Sequence, residues 1–149
     1  MPTPVREAAM AAVEARLRAM LPAVPVDRAR RGEIDIATER LPRLVLQPED
    51  VSADETQSPG YTHYTLTFAV VATLLGTTDL DLEQRLNAMH ADLIAALAGW
   101  QPSTTGLGDV AQLGAEFNVY DPSTSKKPAG EVSARFSMLA VLPTGIPTV

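Results

Sequence analysis

The sequence predicts an α+β fold: a mainly antiparallel sheet of about four to six strands, packed by two amphipathic helices at about 4–21 and 79–98. Three observations predict it. Apolar residues recur at steps of three and four near the N-terminus and again from Leu82 to Trp100. Residues alternate apolar with polar over Tyr61–Thr73, Asp109–Tyr120 and Glu131–Leu142. Proline- and glycine-rich breaks separate these runs.

Taken in order, Thr3 and Pro4 make a helix start, with Thr3 as the cap and Pro4 at the first helical position, where a missing donor costs nothing. Val5, Ala9, Val13, Leu17 and Met20 then form one stripe, widened by Ala12 and Leu21. Pro22 ends the helix near Leu21, because the residue before a proline is driven out of the α region. Val24–Val26 is a candidate edge strand around Pro25, and Ile34 and Ile36 alternate with Glu33 and Asp35 as a second short strand. Between them Arg28, Arg30 and Arg31 cluster before Gly32, either as a partner contact or as a solvated turn.

Arg43–Gln47 reads as a strand between Pro42 and Pro48. Glu49–Gly60 follows as an exposed acidic loop ending in a Pro-Gly turn. Its acids Glu49, Asp50, Asp54 and Glu55 lack the regular spacing of an oxygen cage for a divalent metal. The long strand places Tyr64, Leu66, Phe68, Val70 and Ala72 on the core face, and His63, Thr65, Thr67, Ala69, Val71 and Thr73 on the other. Thr78 with Asp81 fits a capping box. Leu82, Leu86, Met89, Leu93, Leu97 and Trp100 mark the buried face of the second helix, Asp81 pairs with Arg85, and Gly99 closes the helix. His63 reads as a surface residue and His90 as a partly buried one.

Beyond a Gln101–Gly108 loop, Ala111, Leu113, Ala115, Phe117 and Val119 are expected to point inward, with Val110, Gln112, Gly114, Glu116, Asn118 and Tyr120 outward. Asp121–Gly130 is a long hairpin tip carrying Lys126 and Lys127. The last strand turns Val132, Ala134, Phe136, Met138, Ala140 and Leu142 inward. Residues 143–149 form an extended, proline-punctuated tail, either lying on a neighbour or disordered.

At 149 residues, a single domain over 1–149 is expected. The N-terminus has no long apolar run of the signal-peptide kind, and no segment reaches the apolar length of a membrane-spanning helix. No cysteine is present, so disulfides, thiol nucleophiles and cysteine-held metals are excluded; a reducing compartment fits. The net charge of −6 argues against general nucleic-acid binding. The charge is uneven: residues 1–43 carry eight arginines against six acids, and residues 44–149 carry four basic residues against twelve acids. That polarity suits stacking of copies, or is an accident of surface composition. No P-loop, dinucleotide fingerprint, metalloprotease helix or Gly-x-Ser-x-Gly elbow occurs; Gly106 and Gly108 lead into an alternating run, not a helix.

Four stretches carry a family likeness: the alanine-rich Val5–Leu17 helix, the Leu41–Leu46 strand with its acidic loop, the Thr65–Ala72 strand and the Leu86–Leu97 helix. Their order and character resemble the tail terminator (minor tail) proteins of long-tailed phages and phage-derived gene transfer particles. The resemblance implies a virion structural protein without catalytic, cofactor-binding or metal residues. Such a protein forms a homo-oligomeric ring, usually of six copies, that caps the tail tube, stops polymerisation and offers the surface on which the head docks. Its implied partners are the tail tube protein and a head-side connector, with DNA passing through the channel unbound. Expected contact residues are Arg28, Arg30, Arg31, Glu49, Asp50, Asp54, Glu55, Lys126 and Lys127. Two other readings stay open: a head-side neck protein, or a small ligand-binding or enzymatic domain with a deep pocket at His63 or His90.

Overall fold

The computed structural model describes residues 2–30, 32–122 and 126–149. Its elements run α1 (Val5–Met20), β1 (Val26–Arg28), β2 (Arg43–Asp54), β3 (Tyr61–Leu75), α2 (Asp79–Leu97), β4 (Leu107–Val119) and β5 (Ala129–Pro143). Among the described residues, five strands make one sheet in the order β1-β2-β3-β5-β4. Only β1 on β2 is parallel; the other pairings are antiparallel. The expected α+β class, with a mainly antiparallel sheet and two helices, is the one observed.

The centre is the β3–β5 pair, in register from Tyr61 opposite Pro143 to Leu75 opposite Ala129. Both strands follow their two-residue period. Leu66, Phe68, Val70 and Ala72 on β3, and Val132, Ala134, Phe136, Met138 and Ala140 on β5, are buried on one face. Phe68 stacks on Phe136 with ring centroids 5.7 Å apart. Both helices cover this face. α2 lies on β3, β5 and β4 through Leu82, Leu86, Met89, Leu93, Ala96 and Leu97, while α1 lies on β1 and β2 through Val5, Ala9, Met10, Val13 and Leu17. Met20, expected on that stripe, is exposed, and Met10 takes its share of the core.

α2 begins and ends as its residues dictate. The Thr78 hydroxyl accepts from the Asp81 amide, and Gly99 just past the helix takes φ +76°, open to glycine without strain. The Asp81 carboxylate reaches the amide and hydroxyl of Thr77, one residue before the reciprocal partner of a capping box, and also receives Arg85 Nε at 2.8 Å. α1 starts differently from expectation. Thr3 provides no side-chain cap, and Pro4 precedes the helix. The Val5 amide donates instead to the carbonyl of Pro147 at 2.9 Å, and Thr3 and Val149 exchange two backbone hydrogen bonds. The C-terminal tail therefore lies on its own N-terminus.

Four other expectations are corrected. β2 does not stop at Gln47: it continues through Glu49 to Asp54, so the acidic loop shrinks to residues 55–60. Pro48 does not end the strand because a bulge at Glu49 and Asp50 absorbs it, with Asp50 N donating to Thr67 Oγ1. Ile34 and Ile36 lie in irregular chain, not in a strand. The hairpin tip is shorter than 121–130, since Ala129 and Gly130 already belong to β5 and are buried; residues 123–125 lie outside the described residues.

The fourth concerns β4. Val110, expected outside, is buried, and Leu113, expected inside, is 51% exposed, whereas Ala115 and Phe117 do face the helices, opposite Ala134 and Val132, although Phe117 remains 47% exposed and Val119, at the strand's end, 62%. The register shifts twice, between Leu107 and Val110 and between Gln112 and Gly114. Gly114 takes φ +135°, which a side chain would oppose. Each shift changes which alternate residues face the helices, so a single alternating phase does not describe the strand. Gly130 serves the same pair by close approach: a Cβ there would sit 2.7 Å from the Asn118 carbonyl oxygen.

Phe68→Ala is expected to cost about 3–5 kcal/mol of unfolding free energy in urea, because the stacked partner cannot close the cavity. Leu80→Ala, on the exposed face of α2, is expected to stay within about 0.5 kcal/mol.

Candidate assembly surfaces

The expected contact residues separate into three groups once placed. Arg28 and Arg30 turn inward, onto the chain that carries them. Arg28 is ion-paired with Glu7 and Glu14 of α1, the latter at 3.5 Å. Arg30 forks across both oxygens of Glu39 at 2.6 Å each and reaches Asp27 at 3.0 Å. Arg43 pins Asp27 from β2, its Nη2 at 2.8 Å from Oδ1. Together these pairs tie β1, Arg30 and Glu39 to α1 and to the start of β2. Arg31 lies outside the described residues.

The acids form the second group. Glu49 reaches across β3 to Arg135 of β5, 3.0 Å from Oε1 to Nε, while its backbone carbonyl accepts from Arg6 of α1 at 3.0 Å. Asp54 folds into the turn after β2, accepting from the amide and hydroxyl of Thr56 and from Gln57 Nε2. Those donors hold its carboxyl down at about 2. Glu55 Oε1 accepts from the buried Thr62 hydroxyl at 3.4 Å. Lys126 and Lys127, the third group, are exposed at the β4–β5 tip. The structure thus brings Glu49 to Arg135, a partner no spacing rule would pair with it, and leaves the lysines apart from the other two groups.

The sheet face away from the helices is mixed along its middle, with Thr65 and Thr67 on β3 opposite the exposed Leu139 and Ser137 on β5. Near the Thr73–Glu131 end Arg30 and residues 32–36 lie over it and bound an open cavity of about 690 Å³ lined by Ile34, Ile36, Val45, Val71, Tyr120 and Glu131, among others. Tyr120 donates its hydroxyl to Glu131 Oε2 at 2.9 Å; burial first, then this carboxylate, pushes the phenol up to about 12. Neither histidine lines this cavity. His63 Nε2 lies 3.2 Å from Ser58 Oγ, and His90 meets the Phe117 ring edge to face at 5.5 Å. Among the described residues, no group of three or more His, Cys, Asp or Glu is placed to hold a metal, and no helix is long and apolar enough to cross a membrane.

Two surfaces that the alternation pattern missed are the sheet's outer edges. β1 pairs with β2 only at Leu44–Leu46, so β2 from Gln47 to Asp54 has an open flank. β4 is covered at its start, where the Val110 amide donates to the Trp100 carbonyl at 2.9 Å and the Val110 carbonyl accepts from the Gly99 amide at 2.8 Å, and is open on its outer side only beyond Val110. An isolated glycine within a strand pattern, here Gly114, was the available sign of a bulged edge.

No family model and no curated protein matches the sequence. Among solved structures, the fold is similar to that of a chain in the virion of a native gene transfer agent particle. The TM-score is 0.61 and the identity 17%, and the match covers 89% of this chain and 94% of that one. At that identity the likeness is one of fold.

The ion pairs of residues 27–43 make a pH-dependent prediction. Hydrogen bonds from Arg43 hold Asp27 below the usual carboxylate range, those from Arg30 hold Glu39 down, and those from Arg28 hold Glu7 down. Groups with lowered folded pKa values stabilise above the unfolded value of about 4 and lose that contribution as pH falls through the folded value. Amide-exchange protection of β1 is therefore expected to fall below about pH 4, while amides of β3 and β5 remain protected. Asp27→Asn is expected to lower β1 protection already at neutral pH, by about 1–2 kcal/mol.

Proposed function

We propose that this chain is a structural component of a phage-like virion and acts there as a tail terminator. Its copies form a ring of about six subunits, a number that comes from the family resemblance and that cyclic assembly accommodates. The ring caps the tail tube, ends its polymerisation and presents the surface on which a head-side connector docks, at the neck end of the tail. The role is one of shape and contact, not of catalysis.

One observation carries the reading. The fold follows that of a gene transfer agent virion chain nearly end to end, over 89% of this protein and 94% of that one. The order and character of the elements, which resemble those of terminator proteins, support the finer assignment. A net charge of −6 is compatible with DNA sliding past without adhesion, because phosphate binding draws on released counterions and needs clustered cations. Most arginines here are already committed to carboxylates of the same chain.

The test is deletion of the gene in the producing cell, with tail lengths measured by electron microscopy. Tails of uncontrolled length and heads without tails are expected, both restored by the gene in trans. Particles with joined heads and tails of ordinary length would overturn the assignment. Tails of ordinary length that fail to join heads would assign the chain to the head side of the neck instead.

A further inference from the structure

We propose that the free chain is a two-fold dimer, in which residues 115–119 of β4 pair antiparallel with the same residues of a second copy, centred on Phe117 opposite its own mate. The inference goes beyond the ring reading and does not rest on it. A two-fold contact closes on itself and cannot repeat around a ring's rotation axis, so the pair describes the subunit outside any ring.

The backbone is the first support. Beyond the bulge, pairing with β5 is regular from Gly114 opposite Arg135 to Val119 opposite Gly130. The Tyr120 amide points toward β5 and donates to the Ala129 carbonyl. Counting back from Tyr120 at the two-residue period, Ala115, Phe117 and Val119 turn their N–H and C=O groups away from β5. Among the described residues no other backbone group bonds them there, and Glu116 to Val119 are all exposed. A mate rotated by half a turn about the sheet normal sets its β4 antiparallel to this one, with the helices of both copies on one side. Ala115, Phe117 and Val119 then exchange their N–H and C=O groups with the mate.

The side chains decide the register. β4 carries neither lysine nor proline over its 13 residues, the usual protections of an exposed edge, and beyond the bulge its one charge is Glu116. With Phe117 at the centre, Ala115 comes opposite the partner's Val119 on the helix side, and the two Phe117 rings lie side by side there, each backed by His90. Phe117 and Val119 are among the exposed large apolar side chains of the single chain, and the pairing takes both out of water. On the other face Glu116 comes opposite the partner's Asn118, whose side-chain amide donates to its carboxylate; symmetry makes the contact twice. Moving the centre to Glu116 would set two carboxylates directly opposite, which is destabilising. Moving it to Asn118 would carry Ala115 past the end of the mate's β4.

The sheet's other edge does not suit self-pairing. β2 from Gln47 to Asp54 holds Pro48, a bulge and the acids Glu49, Asp50 and Asp54, and Arg6 already bonds the Glu49 carbonyl. The start of β4 is closed as well, by Gly99 and Trp100 on Val110. What remains is the short stretch after Gly114, and a contact of that size makes a reversible dimer.

Sedimentation velocity on the full chain tests the pairing. The wild type is expected to run as a dimer that dissociates on dilution. Asn118→Glu sets carboxylate against carboxylate and is expected to raise the concentration of half-dissociation about tenfold; Glu116→Lys added on the same chain is expected to restore the dimer. Both positions are exposed, so circular dichroism should stay that of the wild type. Because the chain has no cysteine, introduced ones report the register. Opposed residues of this kind lie about 4.5 Å apart at Cα, within disulfide reach. Mild oxidation of Glu116→Cys mixed with Asn118→Cys should give a covalent dimer, and neither variant alone should. A wild type that is monomeric at every concentration, or that passes from monomer straight to rings, would overturn the pairing. So would a dimer that Asn118→Glu leaves unchanged, since its contact would lie elsewhere, and so would equal covalent dimers from either cysteine variant alone. Tail length in the deletion strain tests the ring separately from all of these.

Discussion

The 15-residue ladder between β3 and β5 is the constraint on which the rest depends. Each strand is paired on both sides, β3 by β2 and β5 by β4, so neither can shift register without dragging the sheet. A slip of one residue would send Phe68, Phe136 and their row of buried neighbours to the polar face, which is why the register is firmly specified. The same ladder provides the floor for α2, and through α2 the seat for α1: Arg16 of α1 donates to the Ala96 carbonyl at 2.9 Å and lies 5.4 Å from the centre of the Trp100 ring. Packing and hydrogen bonding act here on one pair of strands, and the outer elements are attached to it.

What attaches those outer elements is mostly polar. β1 contributes three residues to the sheet and one well-buried side chain, Val26. Its position depends on Asp27 between Arg43 and Arg30, and on Arg28 between two glutamates of α1. Bidentate pairs fix orientation better than single contacts do, and the fork of Arg30 on Glu39 ties the end of β1 to the chain before β2. The buried Nε of Arg30 has no hydrogen-bond partner among the described residues, a cost that the other four contacts of that guanidinium offset. The C-terminal tail is held by backbone bonds to Thr3 and Val5, which satisfy donors at the start of α1 that no capping side chain reaches.

Most of the fold was legible because its central elements obey a single period. β5 alternates from Val132 to Leu142 without interruption, and every inward residue read from the sequence is buried. The misreadings fall where a period breaks. Pro48 looked like a strand end, yet a bulge carries the strand past it. Gly114 looked like one more outward residue, yet its backbone changes the phase of β4. The arginines at 28 and 30 were read as a contact for another subunit or as a solvated turn. Local sequence could not reveal that Glu7, Glu14 and Glu39 return to meet them, since those partners are set by tertiary packing. The Glu49–Arg135 pair, 86 residues apart, was beyond any spacing rule for the same reason.

The proposed ring draws its geometry from this unequal layering. With helices on one side only, copies set side by side in the proposed ring would be thicker on the helical side, which a closed ring would place outward. The opposite face would then turn toward the channel with Thr65, Thr67, Ser133 and Ser137 along its middle strands, and with Arg135 covered by Glu49. Hydroxyls interspersed with the exposed Leu139 and Val141, and a cation already paired, offer little to condense phosphates upon. Helices on one face thus bear on more than the core: in the proposed ring they would also set which way the assembly curves.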